Sequence, residues 1–435
     1  MAVKAARAAF NNPAWRDLSS TARGDLMFKL SALAEQHSHL LATVETWDNG
    51  KAFSSAQGDV DEVVGTLKYY AGFADKIHGQ TIETSPAKFA YTLREPVGVC
   101  GQIIPWNYPL AMAAWKLGPA LACGNTVVLK AAESTPLSIL VFANLIKEAG
   151  FPPGVINIIN GHGREAGAAL IQHPDVDKVA FTGSTATGRE IMKMASQTLK
   201  TITLETGGKS PLLVFADADL DNAVYWAHKG IMANQGQICT ATSRILVHDS
   251  LFDAFLDRFV AYIPTVSRLG DPFVPGTTQG PQVSQAQYDR VLAYVQIGKQ
   301  EGARLVCGGE PFMSSGYFIQ PTVFTEVTEE MRIYREEVFG PFVVLVRFTS
   351  DEEALRLANG TEYGLGAALF TSHLSKAHRM ARAIQSGMVW INSSNDSDYR
   401  VPFGGVKQSG IGRELGEAGL AAYSNIKAVH VNLRV

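Results

Sequence analysis

Hydrophobic positions in the N-terminal part of the chain recur at the spacing of an α-helix. The apolar residues of this stretch are Leu26, Leu30, Leu33, Leu40, Val44 and Trp47. Their spacing predicts one long helix over about residues 21–48, with Gly50 as its C-terminal stop. We expect this helix to be scaffold.

Beyond residue 96 the apolar pattern changes to short runs rich in β-branched residues, separated by helical stretches. These runs are 97–100, 126–129, 155–159, 178–181 and 201–204, followed by 211–215, 244–247, 343–347 and 367–370. Such alternation predicts an α/β fold in which helices cover both faces of parallel sheets. The two series of strands indicate two domains, and we place their boundary near the Gly207-Gly208 pair.

Two further segments resemble strands but lie outside this alternation. Residues 81–94 are polar and strand-like, and residues 427–432 form a lone late strand. Segments of this kind often pair with the sheet edge of another subunit. They predict a small β arm that serves oligomerisation.

Composition and charge narrow the class of protein. A chain of 435 residues exceeds what one hydrophobic core usually supports, which agrees with two domains. With 46% hydrophobic residues, 18% charged residues and a formal net charge of −3, it has no bias towards polyanions, so we expect no nucleic-acid partner. No apolar run reaches the roughly 18 residues that cross a bilayer, so we expect no membrane segment. A cytoplasmic location fits best. The Ala, Lys and Arg residues within 1–10 resemble a mitochondrial transit peptide less than they suit a helix.

The cysteines are few and widely scattered. They are Cys100, Cys123, Cys239 and Cys307, with no C-x-x-C pair and no His at ligand spacing, so neither a metal site nor a disulfide framework is predicted. Cys239 differs from the others because it follows a Gly set between amide side chains. This pattern predicts a thiol on a tight turn at the start of a short helix, where backbone N–H groups would lower its pKa. Taken alone, the pattern also fits a structural cysteine.

Two more polar residues stand at predicted strand ends. Glu205 ends the run 201–204, and a carboxylate near an apolar cleft would have a raised pKa, which suits a general base. The alternative is a Glu that caps a following helix or pairs with Lys209. Asn107 lies between two prolines and two aromatics, which predicts a fixed amide donor. Together with the N–H of Cys239 it would form an oxyanion hole.

Nucleotide-binding features appear at two other strand ends. Gly183 and Gly188 follow an apolar run and precede a helix predicted over 189–195, so backbone N–H groups there would meet a pyrophosphate. A plain strand-to-helix turn is the alternative. Lys130 and Glu133 follow the run 126–129 and are placed to bind ribose hydroxyls, although a solvated charge pair fits the same residues. Glu133 would repel a 2′-phosphate, which favours NAD over NADP.

The chain resembles the NAD(P)-dependent aldehyde dehydrogenase superfamily over nearly its whole length. The motifs that carry the resemblance are Pro-Trp-Asn-Tyr-Pro (105–109), Lys-x-x-Glu-x-Thr-Pro (130–136), Phe-Thr-Gly-Ser (181–184), Leu-Glu-Thr-Gly-Gly-Lys-Ser-Pro (204–211), Gly-Gln-Ile-Cys (236–239), Glu-Glu-Val-Phe-Gly-Pro (336–341) and Pro-Phe-Gly-Gly-Val-Lys-x-Ser-Gly-x-Gly-Arg-Glu (402–414). The resemblance implies a Rossmann-type cofactor domain over 1–80 and 97–207, a catalytic domain over 208–408, and arm strands over 81–96 and 424–435. It also implies a homodimer or a homotetramer.

The resemblance further implies a covalent mechanism with NAD as cofactor and NADP as the alternative. Cys239 would attack an aldehyde to give a thiohemiacetal, whose oxyanion is held by Asn107 and the Cys239 N–H. After hydride transfer, water activated by Glu205 would hydrolyse the thioester to the carboxylic acid. The implied cofactor residues are Lys130, Glu133, Gly183, Ser184, Trp106, Ile104, Glu337, Phe339 and Gln287, with Arg290 beside Gln287. The implied substrate tunnel is lined by Tyr108, Met112, Trp115, Ile238 and Phe403, a stripe that without the resemblance would be interpreted as core.

Three features of the sequence bear on the expected substrate and on the expected assembly. The polar segment 392–400 is expected near the substrate entrance, where its two aspartates would favour an amino aldehyde unless it is a solvated loop. Ala233 replaces a bulky aromatic of many relatives and widens the tunnel. The first helix begins at once, whereas relatives carry several tens of residues ahead of it, so we expect exposed apolar surface or a free sheet edge.

Two other functions compete with this hypothesis. A coenzyme A-acylating dehydrogenase would transfer the acyl group to a thiol instead of water, and Glu205 argues against it. A catalytically silent nucleotide-binding protein would have no use for Cys239, Asn107 and Glu205.

Overall fold

The computed structural model describes residues 1–434. The helices are α1 (Ala2–Asn11), α2 (Pro13–Arg16), α3 (Ser20–Gln36), α4 (Ser38–Asn49), α5 (Phe53–Phe73), α6 (Pro109–Ala122), α7 (Leu137–Ala149), α8 (Ala168–Gln172), α9 (Thr185–Ala195), α10 (Leu220–Met232), α11 (Asp249–Val266), α12 (Gln285–Gln300), α13 (Arg332–Arg335), α14 (Asp351–Asn359), α15 (Leu374–Ala383) and α16 (Gly416–Ala422). The strands are β1 (Thr81–Ser85), β2 (Lys88–Pro96), β3 (Val99–Ile103), β4 (Thr126–Lys130), β5 (Ile156–Ile159), β6 (Lys178–Thr182), β7 (Thr201–Glu205), β8 (Pro211–Val214), β9 (Arg244–His248), β10 (Arg304–Cys307), β11 (Thr322–Thr325), β12 (Phe342–Phe348), β13 (Gly366–Phe370), β14 (Met388–Ile391), β15 (Gly410–Ile411) and β16 (Ser424–Asn432).

The predicted long N-terminal helix is two helices. The chain leaves helical geometry at His37 (φ −100°, ψ 19°), whose N–H bonds back to α3, and α4 starts at the next residue. The prediction of one continuous helix was therefore wrong, because the apolar spacing continues across the break. The stop at Gly50 is confirmed: its φ of 86° is left-handed and its N–H donates to the Thr46 carbonyl at 2.9 Å.

The α/β prediction is confirmed by two large sheets. The first has the strand order β15-β7-β6-β3-β4-β5 and the second the order β10-β11-β12-β9-β8-β13-β14. Neighbouring strands are parallel except for the short β15 against β7 and the edge strand β10 against β11. Strands β10, β11, β14 and β15 were not predicted. Carboxyl ends of parallel strands are where open α/β sheets bind ligands.

The chain passes from one large sheet to the other over a short distance. Strand β7 ends at Glu205, and β8 begins at Pro211 in the second sheet. The predicted boundary at Gly207-Gly208 lies in this connection, although the division into domains stays a prediction because β15 returns to the first sheet near the end of the chain. Helix α6, which connects β3 to β4 of the first sheet, packs against α5, and all of its residues are buried.

A third sheet is formed by the two segments predicted as arm strands. It has the order β1-β2-β16, and β16 runs antiparallel to β2 from Ser424 opposite Pro96 to Asn432 opposite Lys88. Helix α1 packs against the first sheet, where Thr126 Oγ1 donates to the Ala6 carbonyl at 3.0 Å. At the far edge of that sheet, β5 has a strand partner on one side only among residues 1–434.

Candidate active site

The carboxyl ends of several strands and the start of α6 enclose one cavity of about 400 Å³. Asn107 is in the loop between β3 and α6 and is buried. Its Nδ2 donates to the Gln237 carbonyl at 2.9 Å, and its own carbonyl accepts from Lys51 Nζ at 2.9 Å and Asn234 Nδ2 at 3.1 Å. Lys51 is itself buried and paired with Asp59. The backbone of Asn107 is therefore fixed from two sides, and one of its two amide hydrogens remains for another acceptor.

Cys239 follows a loop whose backbone is left-handed at three successive residues. Asn234, Gln235 and Gly236 have φ values of 48°, 57° and 71°, all left-handed. A Cβ at Gly236 would lie 1.9 Å from the Gly340 carbonyl oxygen, so glycine is required there. The half-buried Cys239 occupies a turn after this loop and lines the cavity.

The predicted helix after the thiol is absent from the described chain, in which the turn at Cys239 is followed by strand β9. No helix N-terminus therefore lowers the pKa of the thiol. Burial raises the pKa of Cys239 to about 12, and the carboxylates of Glu337 and Glu205 act in the same direction. The net shift is therefore opposite to the predicted one, because burial outweighs the backbone N–H groups of Cys239 and Thr240, which lower the pKa as expected.

Glu205 ends β7 and its carboxylate lies in the same cavity. The residue is 3% exposed, and neither carboxylate oxygen has a hydrogen-bond partner in the protein. Burial, and secondly the charge of Glu414, raise the pKa of Glu205 well above its usual range. The alternative pairing with Lys209 does not occur, since Lys209 Nζ donates to the Glu336 carbonyl at 2.6 Å.

Two charged residues beside Glu205 were missed by the sequence analysis. Lys116 of α6 is buried, pairs with Glu414 and donates to Thr182 Oγ1 at 2.6 Å. Glu414 and Thr182 both line the cavity. The only signal in the sequence was a Lys within an otherwise apolar helix, and its partner is 298 residues away.

The residues predicted for the nicotinamide side lie together. Glu337 Oε1 accepts the N–H of Gly208 at 2.9 Å, and burial raises the pKa of Glu337 to about 7. Phe339 has a φ of 66° and meets Trp106 edge to face with ring centroids 5.3 Å apart. Gln287 Nε2 holds the Phe339 carbonyl at 2.7 Å. These side chains line the cavity that contains Cys239.

The loop after β6 differs from its prediction. Helix α9 starts at Thr185 instead of 189, with Ser184 as its N-cap, because Ser184 Oγ accepts the Thr187 N–H at 3.2 Å. Gly188 is consequently inside the helix, and the N–H of Gly183 is used by the Glu205 carbonyl at 3.0 Å. Gly183 and Ser184 still line the cavity.

Three predicted cofactor residues are not in the wall of this cavity. Lys130 is buried at the end of β4 and its Nζ pairs with the exposed Glu133 at 3.1 Å, while Ile104 is buried in the core. The Lys130–Glu133 pair lies at the carboxyl edge of the same sheet as Ser184, further along the strand order.

The five predicted tunnel residues all line the cavity. They are Tyr108, Met112, Trp115, Ile238 and Phe403. Trp115 and Phe403 meet edge to face at 4.8 Å. Ala233 also lines the cavity, but so do two charged residues that were missed, Glu62 and Lys229.

Glu62 is the more informative of these two charges. Its Oε1 accepts the Trp115 Nε1–H at 2.7 Å, and burial, with Asp59 next, raises the pKa of Glu62 to about 7. Of the polar segment 392–400, Asn395 and Ser397 reach the cavity. The two aspartates do not, and Asp398 pairs with Arg400. The alternative of a solvated loop therefore fits these aspartates better than attraction of an amino aldehyde.

Other kinds of site find no support in the described chain. Among residues 1–434, no group of three His, Cys, Asp or Glu side chains is arranged to hold a metal ion. Within the same range, no helix is both long enough and apolar enough to span a membrane.

A thiol and a buried carboxylate that line one cavity beside a parallel α/β sheet form an arrangement suited to covalent catalysis on a bound substrate. The sequence profile of the aldehyde dehydrogenase family matches residues 1–429, so the chain belongs to that family. An aldehyde dehydrogenase of Emericella nidulans is 55% identical over 434 residues, which cover 100% of this chain and 87% of the relative. Human aldehyde dehydrogenase 1A1 is 52% identical over 435 residues, which cover 99% of this chain and 87% of the relative.

The solved structures agree with this assignment. An NAD+ complex of the aldehyde dehydrogenase from Bacillus cereus is 49% identical, with a TM-score of 0.98 over 100% of this chain and 88% of that one. The resemblance and the fold predicted from the motifs are thereby confirmed, and the protein is an oxidoreductase of this family.

Proposed function

We propose that the protein oxidises an aldehyde to a carboxylic acid with NAD, through a covalent intermediate on Cys239 that water hydrolyses. The observation that carries the proposal is the shared cavity of about 400 Å³, which is lined at once by Cys239, Asn107, Glu205 and Glu337. The Bacillus cereus relative, whose solved structure contains NAD+, supports the choice of cofactor.

The thiol performs the first step. Cys239 Sγ gives up its proton to water and bonds to the carbonyl carbon, and the π electrons move to oxygen, where Asn107 Nδ2–H and the Cys239 N–H stabilise the charge. NAD, when bound, supplies the acceptor for the hydride that leaves this carbon. The carbon is then a thioester of Cys239.

Glu205 performs the second step. Its unpartnered carboxylate takes a proton from water, whose oxygen attacks the thioester, and the C–S bond breaks to release the acid and restore the thiolate. A raised pKa makes this carboxylate a stronger base than an exposed Glu, provided that it is ionised. Lys116 and Glu414 are close enough to influence its charge, since Glu414 raises and Lys116 lowers its pKa.

The chain offers a fitting set of residues for NAD. A Cβ at Gly207 would lie 2.4 Å from Glu337 Oε2, so glycine leaves the carboxylate room beside the backbone. Glu337 would bind the nicotinamide ribose, with Phe339, Trp106 and Gln287 shaping that end, and Ser184 would meet the pyrophosphate. Lys130 and Glu133, together with Ile104, would serve the adenosine side, and Glu133 favours NAD over NADP by repelling a 2′-phosphate.

The remaining parts of the proposal concern substrate, assembly and location. An aldehyde with an apolar or aromatic body suits the wall formed by Tyr108, Met112, Trp115, Ile238 and Phe403. A homodimer or homotetramer would cover the exposed apolar residues of the arm sheet, among them Phe89 and Ile426, and light scattering would measure its mass. We assign the protein to the cytoplasm because its cysteines are unpaired.

The decisive experiment measures NADH formation by purified protein with NAD and a panel of aliphatic, aromatic and amino aldehydes, with NADP in parallel. We expect turnover and a carboxylic acid as product. Acyl transfer that requires added coenzyme A would instead establish the acylating alternative. NAD binding without turnover on any aldehyde would favour the catalytically silent protein.

A further inference from the structure

A second cavity, of about 300 Å³, lies where helices α2 and α3 meet the end of α5 and strand β2. Its wall includes Arg23 of α3, His78 after α5, and Arg94 of β2. We call it the arginine pocket. It shares no lining residue with the cavity that contains Cys239.

Two of the three guanidinium groups that line the arginine pocket, those of Arg23 and Arg94, lack carboxylate partners among residues 1–434. Arg23 makes two bonds to backbone carbonyls, at 3.1 Å to Leu18 and 3.4 Å to Ala122, and its buried Nε has no partner. Arg94 makes one bond, at 3.3 Å to Ser424 Oγ. Most of the ten N–H donors of the two groups are thus free.

Two of the other charged side chains around the pocket are already neutralised. Arg16 pairs with Asp17 at 2.8 Å, and Asp75 pairs with Lys76 at 2.6 Å. Glu417 lies in the adjoining depression, which also touches Arg94, but forms no ion pair there within 4 Å among the described residues. The pocket therefore keeps an excess of positive charge.

The unpaired charges of Arg23 and Arg94 both influence the thiol of Cys123 in the wall of the pocket. Burial raises the pKa of the Cys123 thiol to about 12, and the charges of Arg23 and Arg94 oppose that rise. Cys123 also lines the pocket. Beside these cations, the aromatic ring of the half-buried Phe10 supplies an apolar surface.

We propose that the arginine pocket binds a phosphate group carried on a small organic molecule. Two guanidinium forks match the oxygens of a phosphate, and its second negative charge would balance a pair of arginines better than a carboxylate would. The adjoining aromatic wall would hold the organic part. This site is separate from the proposed catalytic function and does not depend on it.

The test uses inorganic phosphate as the probe and the full chain as the protein. Calorimetry, with and without saturating NAD, should give a phosphate Kd of about 1 mM from two charge-assisted contacts, and acetate should bind at least about tenfold more weakly. Arg94→Gln should weaken phosphate binding about tenfold. Arg94 is exposed and its side chain bonds only to Ser424, so this variant keeps the fold.

The matched control is Arg382→Gln on α15, which removes the same charge from an exposed arginine in another part of the chain. This control should leave the phosphate Kd within about twofold of the wild-type value, because the charge that it removes is remote from the arginine pocket and is screened by salt. Equal loss in both variants, binding unchanged by Arg94→Gln, or acetate binding as tight as phosphate would each overturn the proposal. His78→Gln, expected to weaken binding by a smaller factor, provides a second variant at the pocket.

Discussion

The two ends of the catalytic cavity are built from different material. At the proposed cofactor end, polar groups are fixed by backbone contacts, as in the bond from the Gly208 N–H to Glu337. At the proposed substrate end, aromatic rings pack on one another, and Trp115 meets Phe403 at 4.8 Å. Hydrogen bonds define the cofactor end, and shape defines the substrate end. Substitutions at the cofactor end should therefore change the chemistry, and those at the substrate end should change the choice of substrate.

Cys239 lies between these two ends and is affected by both. Burial, and then Glu337 and Glu205, hold its pKa near 12, so little thiolate exists at neutral pH in the protein alone. Substitutions of single residues in the cavity should therefore distinguish effects on chemistry from effects on substrate choice.

The largest effect is expected for Cys239→Ala, since it removes the nucleophile that both ends serve. Aldehyde oxidation should fall by about 10⁴-fold or more, while NAD binding measured by calorimetry stays within about twofold of the wild type. Cys307→Ala is the control, because Cys307 is a half-buried thiol in β10 outside the cavity wall. Normal turnover by Cys239→Ala would disprove the covalent mechanism.

Glu205→Gln should separate the two chemical steps. NADH should appear as a burst of about one equivalent, followed by turnover slowed about 10²- to 10⁴-fold, and mass spectrometry should detect the acyl-enzyme. Because the pKa of Glu205 is raised, the ionised base accumulates as pH rises through that pKa, so wild-type hydrolysis should speed up with pH. The variant should lose this rise.

The control for this variant is Glu190→Gln on the exposed face of α9. It should retain both the steady rate and its pH dependence. A full steady rate in Glu205→Gln would show that another group activates the water.

Asn107→Ala should slow formation of the first intermediate, by about 10²- to 10³-fold, because one oxyanion donor is lost. Single-turnover measurements should show a smaller burst rate and no accumulated acyl-enzyme, in contrast to Glu205→Gln. The fold should survive, since the Gln237 carbonyl keeps Asn234 Nδ2 at 3.2 Å. Asn144→Ala, at an exposed position of α7, is the control. An unchanged burst rate in Asn107→Ala would exclude its role as donor.

At the cofactor end, the predicted residues that line the cavity belong to short motifs, so local sequence is enough to locate them. Glu337 and Phe339 lie in one short motif, and Ser184 marks a strand-to-helix turn that the apolar pattern locates. The start of α9 was misplaced because the capping bond of Ser184 decides it. The glycine and amides before Cys239 predicted a tight turn but not the left-handed backbone of Asn234 and Gln235, and the absence of a following helix depends on how tightly that turn closes.

At the substrate end, the five tunnel residues implied by the resemblance line the cavity, but the charged contacts beside them join distant parts of the chain and were missed. Glu62 bonds to Trp115 across 53 residues, and Lys116 to Glu414 across 298. Periodicity identifies the helices that carry these residues but does not show which faces meet. Their charges therefore looked like ordinary surface positions in the sequence.

The smallest of the expected effects distinguishes substrates at this end. Burial raises the pKa of Glu62 to about 7, so its carboxylate gains charge as pH rises through 7. For an amino aldehyde, kcat/KM relative to a neutral aldehyde of equal length should rise over that range by up to about tenfold, and Glu62→Gln should abolish the rise. Lys229→Gln, which removes the opposite charge from the mouth of the same cavity, should increase the preference for the amino aldehyde. If both variants keep the wild-type ratio of kcat/KM for the amino aldehyde to kcat/KM for the neutral aldehyde at every pH, the shape of the cavity alone selects the substrate. The charges of Glu62 and Lys229 then have no part in substrate choice.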